Sequence, residues 1–306
     1  MTDILLHHYD NSPFSEKIRL ALGLKGLAWR SVIQPNMMPK PQLVPLTGGY
    51  RRIPVLQLGA DVYCDSQLIA RVIERLAPQP TLFPGGSEGL CAAFGFWTDR
   101  QLFLASVPVV FSAIGPAVPK AFIEDRSKLM GGRMDFSAVM AAGKPAAEQL
   151  RAHAALLEAQ LSDGRRWLLG DAPSLADFSA YHPIWFLRNV PPVAKTLEDF
   201  ARIGAWVERV AAVGHGRREE CSPDEALRIA RAAEPAATEG GVDPRDPQGL
   251  TAGCRVRVVP DDYGPEPVEG ELLRADAREI ALRRESAETG RVVVHFPRAG
   301  FRIEKA

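Results

Sequence analysis

Charge of one sign is missing from this sequence: 37 Lys and Arg balance 37 Asp and Glu, so the formal net charge is zero. Polyanions and anionic lipid surfaces recruit proteins through excess positive charge, so neither nucleic acid nor membrane is expected as a partner. Cysteine is scarce as well. Cys64, Cys91, Cys221 and Cys254 are scattered, with no CxxC pair and no histidine at metal-ligand spacing. That argues against a disulfide framework and a zinc site, and fits a reduced, cytoplasmic chain with no metal. No apolar run is expected to reach the length needed to span a bilayer. The opening MTDILLHHYDNSP has no basic stretch, long apolar segment or small-residue cleavage site, so it does not read as a signal peptide.

What is present is ordinary for a globular protein: hydrophobic residues make up 46% of the chain and charged residues 24%. At 306 residues, two or three domains are expected. Ile4 to Tyr9 reads as a strand, and Asn11-Ser12-Pro13 breaks it. A helix follows from Pro13, with Ser12 as N-cap, Pro13 at the first helical position and Gly23 or Gly26 at its end. Ala28 to Ile33 is a second strand. Gln34 to Gly49 reads as a long loop interrupted by Pro35, Pro39, Pro41 and Pro45. Two short strands around Gly59-Ala60 form a hairpin, and Asp65-Ser66 opens an amphipathic helix carrying Leu68, Ile69, Val72, Ile73 and Leu76.

Pro- and Gly-rich linkers at Ala77–Ser87 and Glu234–Gly249 divide the chain. Between them the pattern is helical. Beyond Gly249 the period becomes alternating, with turns at Asp261-Asp262-Tyr263-Gly264 and Glu288-Thr289-Gly290, and about five strands of a small SH3-like barrel are expected. The resulting domains are 1–78, 87–235 and 249–306.

Three motifs carry a resemblance. They are Tyr9-Asp10-Asn11-Ser12-Pro13-Phe14, Arg52-Ile53-Pro54-Val55 followed eleven residues after the proline by Asp65-Ser66, and Ser174-Leu175-Ala176-Asp177. In this order and spacing, the segment up to about Glu234 resembles the glutathione transferase superfamily. The resemblance implies an α+β multidomain fold: a thioredoxin-like domain, an all-helical domain, and here an additional small all-β extension. It also implies glutathione as co-substrate and a small hydrophobic electrophile as the second substrate, in conjugation or dehalogenation of the detoxification type. A homodimer is implied too. The competing reading is a non-catalytic interaction protein whose β extension recruits a partner.

By the same resemblance, Pro54 is cis and Ile53 offers its backbone to the cysteinyl part of glutathione. Ser66, at a helix N-terminus, meets the γ-glutamyl carboxylate, and Asp65 pairs with its ammonium. Lys40 meets the glycyl carboxylate, with Arg51 and Arg52 as rivals. Ser12-Pro13-Phe14 is similar to the tau-class motif and, with Cys for Ser, to the omega class. Ser12 is therefore the candidate that hydrogen-bonds and stabilises the thiolate, with Tyr9 and Ser15 as alternatives. Ser174 and Asp177 form a structural capping box. Phe103, Phe111 and Phe122 are candidates for lining the electrophile pocket.

Overall fold

The structure, a computed structural model, describes residues 3–132, 134–238, 240–264 and 266–306. The first part runs β1 (Ile4–His8), α1 (Pro13–Leu24), β2 (Ala28–Ile33), α2 (Leu43–Thr47), β3 (Val55–Leu58), β4 (Asp61–Cys64) and α3 (Ser66–Leu76). Strand β1 pairs parallel with β2 and antiparallel with β3, which pairs antiparallel with β4, the thioredoxin-like arrangement. The expected loop 34–49 contains the short helix α2, ended by Gly48 in the left-handed conformation (φ 73°). Five residues with a proline among them carry too little periodicity to announce a helix.

The helical part comprises α4 (Glu88–Trp97), α5 (Phe103–Ile114), α6 (Lys120–Leu129), α7 (Phe136–Ala141), α8 (Gly143–Gln160), α9 (Leu175–Arg188) and α10 (Ala201–Ala211). Helix α9 begins at the expected capping box: Asp177 accepts from the Ser174 N–H at 2.9 Å and from its hydroxyl at 2.7 Å. The indole of Trp206 on α10 donates to the same carboxylate at 2.8 Å, tying two helices to one buried acid.

A π-helical turn, Thr98–Leu102, joins α4 to α5 without a break, and Pro108 lies inside α5. The continuous helix Glu88–Ala117 is 30 residues long with mean hydropathy 1.2, enough by length and composition to cross a membrane. This corrects the expectation that no stretch reaches that length, which took no account of a helix continuing through polar and proline positions. Its α5 portion packs against α8 and α9, and its α4 portion against α9.

After α10 the chain returns to the first part. β5 (Arg217–Glu220) adds parallel to β2 and α11 (Pro223–Ala232) packs beside it. The remaining strands are β6 (Arg255–Pro260), β7 (Val268–Ala275), β8 (Glu279–Ser286), β9 (Gly290–Pro297) and β10 (Phe301–Lys305). Their order, β10-β6-β7-β8-β9, makes a small antiparallel β extension. Strand β9 also pairs parallel with β4, with Val62 opposite Val294 and Tyr63 opposite His295, so one ten-stranded sheet runs from β10 to β5.

The two-residue period of the strands sorts side chains into two cores. Leu56 and Tyr63 face α1, α3 and the helical part, whereas Val55, Val62 and Cys64 join Leu43 and Leu46 in a second core with Val256, Leu282, Val294 and Phe296. The extension thus shares a core with the thioredoxin-like part.

Candidate active site

Ile53–Pro54 is a cis peptide, and the backbone here leads into β3. Eleven residues on, Asp65 caps α3: its carboxylate accepts the Gln67 N–H at 2.8 Å. Asp65 has φ 75° and ψ 134°, the sole positive φ at a non-glycine among the described residues. Such a conformation costs on the order of 1–3 kcal/mol and points toward a functional constraint. Burial raises the Asp65 carboxyl above its ordinary pKa, against the Gln67 N–H bond that lowers it. Ile53, Pro54, Asp65 and Ser66 together line a small cavity of about 80 Å³.

Beside it opens a larger cavity of about 330 Å³. Phe14, Phe103, Phe111 and Phe136 supply much of its apolar wall, and Ser12, Tyr9 and Lys40 stand on its polar side. Phe122 is not on the wall; it lies 6.1 Å from the Phe111 ring with Arg126 stacked over it at 4.4 Å. Ser12 caps α1, its oxygen accepting the Ser15 N–H at 3.2 Å. The Ser12 hydroxyl proton is given to no acceptor among the described residues, so it is free for a group in the cavity. Ser15 is fully buried, its oxygen has no partner, and it borders neither cavity.

Lys40 is buried, donates to the Arg51 carbonyl at 3.0 Å, and lies 5.9 Å from the Tyr9 ring. Burial, with Arg126 and Arg51 close by, lowers its pKa to about 7. It stands with Ser12 and Tyr9 and does not border the small cavity, whereas Arg52 borders both. Arg51 also borders the larger cavity and is paired with Asp125.

Two pairs of residues bordering the small cavity were not singled out as functional in the sequence. Asp99 and Arg100 of the π-helical turn border the small cavity, and Lys17 (2.7 Å) and His182 (2.9 Å) hold the Asp99 carboxylate. These two partners keep the Asp99 carboxyl below the usual range although burial works against them. Asp262 and Tyr263, read from sequence only as a turn, close the small cavity from the β extension.

Comparison with known proteins agrees with this geometry. Residues 6–81 match the family description "Glutathione S-transferase, N-terminal domain", and residues 111–209 match "Glutathione S-transferase, C-terminal domain". The crystal structure of a GST-like protein from Pseudomonas syringae is 40% identical and covers 100% of both chains with a TM-score of 0.82. The chain belongs to the glutathione S-transferase superfamily. Glutathione S-transferase 1 of Triticum aestivum is 28% identical over 195 residues, 56% of this chain and 72% of that one. A glutathione S-transferase from Rhodospirillum rubrum F11 shares the fold, at 24% identity and TM-score 0.54, over 68% of this chain and 88% of that one. Glutathione S-transferases use glutathione as co-substrate. The β extension of the present chain lies within the full-length match to the Pseudomonas syringae protein.

Proposed function

We propose that this glutathione S-transferase activates the sulfur of glutathione for attack on a small hydrophobic electrophile, by conjugation or by displacement of halide. Glutathione supplies the nucleophile; the chain supplies the binding strip, the hydrogen bond to sulfur and the apolar pocket. Ile53 offers its backbone to the cysteinyl part. Ser66 and the first turn of α3 receive the γ-glutamyl carboxylate, where free N–H groups favour an anion. Asp65 takes the ammonium, which offsets the burial that raises its pKa. Lys40 and Arg52 are the cations for the remaining carboxylate. The donor set therefore fits a zwitterionic peptide thiol.

One observation carries the catalytic assignment: Ser12 stands at the N-terminus of α1 on the wall of the 330 Å³ apolar cavity, with its oxygen engaged by Ser15 and its proton free. A hydroxyl so placed donates to a thiolate and favours it over the thiol. The phenylalanine wall then holds the electrophile against the sulfur and away from water.

The test is the pKa of the bound thiol, read from thiolate absorbance in the wild type and in Ser12→Ala. A hydrogen bond to a charged group is worth about 1.5–3 kcal/mol, so the pKa should rise by about one to two units in the variant. An unchanged thiol pKa moves the role to Tyr9. A wild type that gives no calorimetric signal with millimolar glutathione removes the reading altogether.

A further inference from the structure

We propose that Asp262 and Tyr263, on the turn between β6 and β7, are specificity-determining residues of the peptide-thiol site, roofing it from the β extension. The proposal deepens the function above and rests on it.

The geometry begins with Arg52, whose backbone runs directly into Ile53. Its guanidinium lies 3.7 Å from the centroid of the Tyr263 ring and makes two hydrogen bonds to the Asp262 carboxylate, at 2.6 and 3.3 Å. A planar cation stacked on a ring and bound at two points is held in one orientation. Arg52 therefore couples the turn of the extension to the strip that receives the peptide.

The turn is itself fastened to three parts of the chain. Asp261 donates its N–H to the Gly300 carbonyl at 3.0 Å and pairs with Arg100 at 2.5 Å. Gly264 donates to the Leu129 carbonyl at 2.8 Å. Gly264 has φ +70°, and a Cβ there would stand 3.2 Å from the Leu129 side chain and 3.3 Å from Arg52 Nε. The turn is thus seated against both the helical part and Arg52 with no room to spare.

Tyr263 borders both cavities, as do Phe14, Arg52 and Ile53. It therefore stands where the amino-acid end of a peptide thiol gives way to its sulfur. On one side, Asp65, Asp99 and Asp262 alternate with Arg52 and Arg100, a setting for a group carrying both charges. On the other side lies the apolar cavity. The ring is a partition: it encloses the charged end and limits the space that a substituent on sulfur can take at that boundary.

The experiment is calorimetric titration of the full chain with glutathione and with S-hexylglutathione, for the wild type, Tyr263→Phe and Tyr263→Ala, each checked by thermal melting. Removing the ring should weaken glutathione binding roughly ten-fold, because Arg52 loses the stacking that fixes its orientation beside the peptide strip. S-hexylglutathione should lose less, because its alkyl chain can occupy the space the ring leaves. The ratio of the two dissociation constants is the deciding quantity. It should shift toward S-hexylglutathione in Tyr263→Ala and stay within about two-fold of wild type in Tyr263→Phe, which keeps the ring over Arg52. A ratio unchanged in Tyr263→Ala overturns the proposal whatever happens to the separate affinities, since a purely structural loss weakens both ligands alike. A wild type that binds neither ligand overturns the glutathione reading and the proposal together. Should Tyr263→Ala not fold, Tyr263→Val, which also removes the ring and leaves most of its space open, carries the same comparison.

Discussion

Asp65 carries two local burdens of the kind that a ligand at this site would relieve. Its backbone sits at φ 75°, where only glycine is at ease, and its carboxyl is pushed toward the neutral form by burial. Both burdens make sense if an ammonium arrives to pair with it. Asp65→Gly should relieve the backbone and, as glycine is only slightly poorer as an N-cap, stabilise the chain by about 1 kcal/mol. The same change should abolish measurable glutathione binding. A urea titration and a calorimetric titration of the one variant check both halves; a destabilised variant would show that the φ angle is not a burden. The cis proline and the helix start at Asp65-Ser66 were legible in the sequence, the former through the resemblance and the latter as a capping pattern. Asp262 and Tyr263 were not, because a turn of Asp, Tyr and Gly is common chemistry for reversing a chain and says nothing of what the turn touches.

At the scale of the element, β1 was legible as a strand from ILLHHY, yet the sequence did not announce that both histidines would be fully buried. His7 bonds to Gln57 at 2.8 Å and Gln34 at 3.2 Å, and burial lowers its pKa to about 4. His8 bonds to Ser31, and burial together with Arg19 and Arg218 lowers its pKa to about 3. In the unfolded chain both titrate near 6.5, so below that pH the unfolded state takes up protons that the folded strand refuses. The stability owed to these neutral histidines is therefore present above pH 6.5 and lost as the pH falls toward 4 and 3. For His7 alone the loss between pH 7 and pH 5 is about 2 kcal/mol. His295 works in the other direction. Bonds to Asp61 (3.0 Å) and Glu279 (2.7 Å) raise its pKa despite burial, so its contribution is complete below 6.5 and is lost as the pH rises through the higher folded value. It does not mask the acid-side loss. The urea midpoint should fall from pH 7 to pH 5 in the wild type, and fall less steeply in His7→Gln whatever its stability at pH 7. A wild-type midpoint that does not move across this range would rule the account out.

Across the whole molecule, the least legible feature was the joining of the parts. Local pattern announces a strand, a helix or a turn, but the partner of an edge strand lies wherever the fold brings it. Nothing near Val292–His295 points to Asp61–Tyr63, more than two hundred residues earlier, as the strand that β9 will pair with. The alternating period beyond Gly249 was enough for a small β extension and could not reveal that the extension continues the thioredoxin-like sheet. The physical consequence is dependence. Without residues 249–306, the edge of β4 would offer its unpaired N–H and C=O groups to other chains. Leu43, Leu46, Val55 and Val62 would also lose the covering supplied by Val256, Leu282, Val294 and Phe296. Each such side chain is worth about 1.5–3 kcal/mol when fully covered. Four of them uncovered together amount to the order of the 5–15 kcal/mol by which a typical domain is stable. A chain ending at residue 248 should therefore be recovered as aggregate, or as a species without a cooperative thermal transition, even though it keeps the helices and Ser12, Ile53, Pro54, Asp65 and Ser66. Solubility on expression and a circular dichroism melt read the outcome. A truncated chain that melts cooperatively and is soluble would mean that the shared core is dispensable and that the extension is an appended module. Aggregation, or a melt without cooperativity, places β6–β10 within the folding unit of the chain, where the turn bordering the small cavity is held in register by the same strands that hold the protein together.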